Sequence, residues 1–412
     1  MLANKLRSSN RDVSPFQKTP ITLNDPNAYN TSPNDQFGWS VSISGSYAIV
    51  GANQEGDASG TNSGKVYIFN SVTGALLRTL NNPNPVGTSA DDYFGGSIDI
   101  CGNYCIVGAY GEADAGGDLS GKAYIYEVTT GNLLWTLNNP NLYSTSAGDY
   151  FGYRVSLSNN YAIVSAYREG DAGGTLSGKA YIFSVATGAL LWTLNNPNAY
   201  STSVNDYFGY SVAITEQYAI VGAYGEGDAG GTLSGKAYIF SVATGALLWT
   251  LNNPNAYSTS ANDYFGYNVD ISGNYAIVGA YQENDAGGSH AGKAYIFNVI
   301  TGALVRTLND PNAYGTSAND FFGFRVGIST NYCIVGAYQE GDAGGTMSGK
   351  AYIFNINTGT LVKTLNDPNA YGTSKNDYFG FSVDISGSVA IVGAYQENDA
   401  GGSHAGKAYI FG

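Results

Sequence analysis

Seven Phe-Gly pairs run along this chain at one unvarying interval. They fall at Phe37-Gly38, Phe94-Gly95, Phe151-Gly152, Phe208-Gly209, Phe265-Gly266, Phe322-Gly323 and Phe379-Gly380, each 57 residues from the last, in a chain of 412. A fixed period without insertions is the mark of a repeat architecture, and it constrains the fold before any single residue is weighed. Residues 171–203 and 228–260 are identical at all 33 positions. Such sameness works against a catalytic site, which needs different residues converging on one point, and suits several copies of one weak contact.

Within the repeat that starts at Phe208, four short segments rich in Val, Ile, Tyr and Phe stand out: GYSVAI, YAIVGA, KAYIF and ALLWTL. Each is bounded by Gly, Asn, Ser, Thr or Pro, as strands are, and none shows the three-to-four spacing of an amphipathic helix. Four antiparallel strands repeated seven times predict an all-β fold, a seven-bladed β-propeller. A β-solenoid is the competing repeat fold, but its rungs are shorter and its ends need capping segments. The final repeat stops at KAYIFG, one strand short, while Ile21-Thr22-Leu23 aligns with Arg78-Thr79-Leu80. Residues 19–24 are therefore expected to complete the last blade and close the ring, leaving residues 1–18 as an N-terminal arm and 19–412 as the propeller.

The net charge of −14 argues against binding nucleic acid or anionic lipid through the body of the protein. No apolar run is long enough to cross a bilayer, so no membrane insertion is expected. The N-terminus lacks the continuous apolar core of a secretory signal. Cys105 and Cys333 share a repeat column that elsewhere holds Ala, and read as small buried hydrophobes. Cys101 and Cys105 flank a tight turn, where a disulfide is uncommon.

The succession FGYSVAI, YAIVGAY, GKAYIF resembles the FG-GAP repeat, which is known from integrin α-subunit propellers and from bacterial and viral surface proteins. The resemblance spans residues 20–412. Two departures matter. The proline of Gly-Ala-Pro is Tyr in six repeats and Asn53 in the first. The family's Asp-rich calcium hairpin is replaced by SGNY or similar, leaving too few oxygen ligands for Ca²⁺. The family's metal sites are not carried over, and neither metal nor cofactor is expected.

In a four-stranded blade the connection after strand two and the crossover to the next blade share one face. Here those are the long connections, YGEGDAGGTLSG and NNPNAYSTSANDY, so all elaboration lies on one face. Tyr110, Tyr167, Tyr224, Tyr281, Tyr338 and Tyr395 end strand two there. Tyr beside Asn and Asp suits stacking and hydrogen bonding to sugar rings; it also packs between blades. The Glu-x-Asp pairs from Glu55/Asp57 to Glu397/Asp399, each with a following Lys, are read either as self-capping turns paired to Lys or as weak cation sites. Asp35 and its equivalents before each Phe-Gly are expected to lock the Asn-Pro crossover. His290 and His404 lie two repeats apart and cannot meet, so no enzyme is expected.

Two features break the symmetry. The arm carries Lys5, Arg7, Arg11 and Lys18 against Asp12, which is +3 on a remainder of −17 in a chain of −14. It is expected to dock on a larger protein assembly, a virion or surface complex, with Leu2, Leu6 and Phe16 as apolar anchors beside Lys5, Arg7 and Arg11. Trp135, Trp192 and Trp249 occupy one outer-strand column of three successive blades, where other blades place Arg, Lys or Ile. They form either a docking patch on the rim or a cover over neighbouring strands. The functional expectation is a non-enzymatic structural or attachment protein of a virion, its loop face turned to host-surface glycans. The alternative is a free carbohydrate- or protein-binding propeller at a bacterial cell or its surface.

Overall fold

The computed structural model describes residues 15–27, 34–56, 60–84, 90–113, 117–141, 146–170, 174–198, 203–227, 231–255, 260–284, 288–312, 318–341, 345–369, 375–398 and 403–412. Seven four-stranded antiparallel sheets form seven blades, and no helix occurs among the described residues. Blade 1 runs from the inner strand Phe37–Ser44 through Tyr47–Ala52 and Lys65–Asn70 to the outer strand Leu76–Asn81. Blades 2 to 6 repeat this pattern in register.

Blade 7 takes its inner three strands from the C-terminus and its outer strand, Ile21–Asn24, from the N-terminus. Ile21 pairs with Ile410 and Asn24 with Lys407. The Lys18 amide donates to the Gly412 carbonyl at 3.0 Å. The expected closure by residues 19–24 is thus the observed one, and it removes the open edge that blade 7 would otherwise present.

The cores lie between blades. Ile49, Val66, Ile68 and Leu80 of blade 1 pack against Phe94, Ile98, Ile100 and Val107 of blade 2. Each Phe of the Phe-Gly pairs is fully buried. Phe37 meets Phe69 edge-on with ring centres 6.0 Å apart. Its glycine is needed for close approach: a Cβ on Gly38, at φ +89°, would stand 2.4 Å from the Lys407 carbonyl oxygen of blade 7. The Phe fills the seam and the Gly lets two backbones touch across it, so one dipeptide sets blade-to-blade packing seven times. Cys105 and Cys333 are buried as expected, and burial lifts both thiols to about 12. The disulfide is not formed: Cys105 pairs with Ile100, and the Cys101 thiol points instead to Asn159.

Candidate functional site: the loop face and channel mouth

The connection after strand two and the crossover meet on one face, as expected. In blade 1 the Asp91 amide donates to the Thr61 carbonyl at 2.9 Å, and Asn62 Nδ2 donates to Asp91 Oδ1 at 2.7 Å. The backbone is left-handed at Asp91 and again two residues later. Tyr93, Tyr150, Tyr207, Tyr264 and Tyr378 sit at φ of 54–57°, joined by Phe321 at 56° and Gln36 at 58°. Aromatic residues seldom adopt that region.

Three aromatic columns converge there. The left-handed column stacks on the strand-two tyrosines: Tyr93 lies 5.1 Å from Tyr110 at 7°, and Tyr207 lies 5.3 Å from Tyr224 at 11°. The third column lines the channel mouth as an arc, Trp39–Phe381–Phe324–Tyr267–Tyr210–Tyr153, with successive centres 4.7–5.3 Å apart. Only blade 2 breaks it, at Gly96, where a Cβ would meet the Tyr110 ring at 2.8 Å. Tyr110 therefore leans into the gap. The six strand-two tyrosines are near-buried or half-buried within this mosaic rather than free-standing platforms.

Beneath the face lies a buried polar layer. Glu55 is fully buried; its Oε1 accepts from Lys65 and its Oε2 from the Tyr67 hydroxyl at 2.6 Å, and every blade repeats the pair. The expected pairing of Lys with these carboxylates is thus observed, and the glutamates prove to be buried rather than exposed on the turn. Burying the carboxylate requires the Lys and Tyr donors together. The aspartates Asp57, Asp114, Asp171, Asp228, Asp285, Asp342 and Asp399 lie outside the described residues. Asp35 and its equivalents lock the crossover as expected: Asn27 Nδ2 donates to Asp35 Oδ2 at 2.8 Å.

One column of this layer divides the ring. In blades 2–5, Asn82, Asn139, Asn196 and Asn253 donate Nδ2 to the crossover aspartate at 2.8–3.0 Å. Blades 6, 7 and 1 place Asp310, Asp367 and Asp25 there. Each has a buried Oδ2 with no partner, and each lies within 4.8 Å of a second aspartate and the glutamate. A proton or a cation must take the place of the amide hydrogen. Burial holds Asp25, Asp310 and Asp367 up to about 8 and their neighbours Asp35, Asp320 and Asp377 to about 6.

Along the axis the inner strands enclose a cavity of about 140 Å³. Asp99, Asp270 and Asp384 accept the Leu157, Ile328 and Ile43 amides of the next blade at 2.7 Å each, stitching the ring from inside. Two residues nearer the loop face, Arg154 and Arg325 enter the same space.

The rim tryptophans serve the seams. Trp135, Trp192 and Trp249 donate Nε1 to the carbonyls of Val185, Val242 and Val299 in the next blade at 2.8–3.0 Å. Arg78 does the same work from that column, donating Nε to the Thr129 carbonyl at 3.0 Å. Shared reach explains why Trp and Arg interchange there, and the three rings are still 36–37 % exposed. Of the arm residues, Leu2, Lys5, Leu6, Arg7 and Arg11 lie outside the described residues. Phe16 corrects the expected anchor set. It is 2 % exposed and edge-on to Tyr332 at 5.4 Å, because it caps the hydrophobic seam between blades 6 and 7. His290 and His404 each face an asparagine on separate loops.

The left-handed and channel-mouth columns escaped the sequence reading, which weighed one tyrosine column alone. Aligning all seven repeats by column would have exposed both, and would have singled out Arg154 and Arg325 among four serines and Asn268. Against known proteins, the FG-GAP repeat family matches residues 27–69, 85–126, 144–183, 199–240, 256–297, 312–354 and 369–411. No curated protein matches the chain. FG-GAP β-propellers are in general binding or structural domains. With seven matched repeats spread over most of its length and a closed ring of seven blades, the chain belongs to the FG-GAP repeat family.

Proposed function

We propose that this propeller is a non-catalytic attachment protein whose loop face contacts surface glycans and whose N-terminal arm seats it on a larger assembly such as a virion. The observation that carries the reading is the convergence of three aromatic columns on one face, held partly in left-handed backbone that folding alone does not reward. Rigid aromatic surface with amide and hydroxyl neighbours recognises sugar rings at low entropic cost. The near-identity of the blades supports several equivalent weak contacts rather than one strong one.

Blade 1 supplies the conservative test, since Gln36 occupies the column that holds Tyr elsewhere. Replacing Tyr93, Tyr150, Tyr207 and Tyr264 by Gln should lower binding to glycan-coated surfaces at least about tenfold, with the melting midpoint little changed. Unchanged binding would remove the loop face from consideration. For the arm, removing residues 1–14 should abolish co-purification with particles while leaving a folded ring. Normal incorporation of that truncation would move docking to the body.

A further inference from the structure

The column two residues beyond each Phe-Gly reads Ser40, Ser97, Arg154, Ser211, Asn268, Arg325, Ser382. The small members have a structural task at the inner seams. Ser97 accepts the Val155 amide at 3.1 Å, Ser211 the Val269 amide at 3.0 Å, and Asn268 the Val326 amide at 2.7 Å. Ser40 and Ser382 donate to the carbonyls of Gly95 and Gly38 at 2.7 Å. Arg154 and Arg325 do neither. Arg325 Nη1 reaches its neighbour's carbonyl, Phe324, at 3.2 Å, and Arg154 Nη1 reaches Tyr153 only at 3.5 Å.

Among the described residues every Lys or Arg ion pair is one of the seven Lys–Glu pairs, so neither arginine has a carboxylate. Both are half-buried in the axial cavity. Their other contacts are ring faces: Arg154 lies 4.8 Å from Tyr153, and Arg325 lies 4.6 Å from Phe324 and 5.5 Å from Phe381. A guanidinium has five donors, and most of those on Arg154 and Arg325 meet no protein acceptor, which is costly in a half-buried position. Two such cations facing one cavity compound the cost. Arg325 is held below its ordinary pKa by burial and then by the charge of Arg154. The channel aspartates form no ion pair with either arginine, and their oxygens accept backbone amides.

We propose that the channel mouth is a binding site for an oxyanion, with Arg154 and Arg325 as a facing pair of forks beneath the aromatic arc. The cavity of about 140 Å³ has room for a carboxylate, phosphate or sulfate group beside the arginines. The ligand is therefore either a free anion or the acidic group of a larger molecule entering from the loop end. Each fork offers paired N–H donors matched to such a group. Trp39 and Ser211 line the same space and leave it room. Asp99, Asp270 and Asp384 line the deeper end of the same space, so the anion is placed at its loop end beside the arginines, and the net charge of −14 favours small anions over extended polyanions.

Calorimetric titration with inorganic phosphate, glucuronate and glucose, at constant ionic strength, tests this on the full chain. Phosphate or glucuronate should bind while glucose does not, and each arginine removed should weaken binding about tenfold. Phosphate without glucuronate would identify a free anion as the source, and both together an acidic sugar. The variants R154S and R325S carry the residue that four sibling blades use, so they keep the fold. Without added anion the double variant should melt higher than wild type, because an unpaired pair of like charges is gone. Absence of binding by all probes, or binding undiminished in the double variant, overturns the site. Loss of glycan binding in the Tyr-to-Gln variants with phosphate binding intact would sink the contact-face reading alone.

Discussion

At Asp25, Asp310 and Asp367 one atom separates these residues from the Asn of the sibling blades, and it changes a donor into an acceptor. Folding lifts each from 3.8 to about 8 through burial. Between those values the folded chain binds more protons than the unfolded one. Their contribution is therefore full below about pH 4 and is lost as pH rises through 8. The melting midpoint should fall from pH 5 to pH 9, and D25N/D310N/D367N should flatten that fall by restoring amide donors. Equal slopes in the two proteins would show that the pairs do not hold the proton. At neutral pH, EDTA or added calcium should leave the midpoint unchanged. A calcium-dependent rise confined to wild type would place a cation among the three carboxylates instead. On the rim, Trp192→Ala should destabilise by about 1–3 kcal/mol, through a lost hydrogen bond and a bared glycine turn. Trp192→Arg should cost under about 1 kcal/mol, because Arg78 and Arg306 make that reach in their own blades. Denaturant titration measures both, and equal costs would mean that the reach does not matter.

At the level of elements, the N-terminal segment carries two separable contributions. Ile21–Asn24 is a strand of blade 7, and Phe16 is a plug in the seam beside it. Deleting residues 1–14 should leave the midpoint nearly unchanged. Deleting 1–17 removes Phe16, a loss of about 3–5 kcal/mol by analogy with buried Phe truncations. Deleting 1–24 also bares the Lys407–Phe411 edge and should bring aggregation as well as a lower midpoint. Equal midpoints for the 1–17 and 1–24 truncations would refute closure by this strand.

For the whole molecule, the ring should not depend on where the chain begins. In blades 1–6 a short turn joins strand three to the outer strand, as Ser71–Ala75 does in blade 1. A circular permutant that starts at Asp25 and appends such a turn and residues 19–24 after Gly412 also lacks Phe16, and should fold with a midpoint within a few degrees of the truncation that removes residues 1–17. A midpoint far below that truncation would show that closure of the ring depends on where the chain begins.

The sequence by itself determined the blade number, the strand order, the loop-bearing face and the closing strand. Each follows from period, alternation and alignment of the repeat with itself, which are one-dimensional quantities. Only the tertiary structure decided that Glu55 is a buried counter-ion, that Phe16 packs in cis, and that Trp135 and Arg78 reach into neighbouring blades. It alone brought Arg154 and Arg325 to one cavity. Those outcomes turn on which residue of the next blade lies opposite, and the seven inner strands meet only when the ring closes. Residues 171 positions apart in the chain then line one cavity, which no local sequence pattern places together.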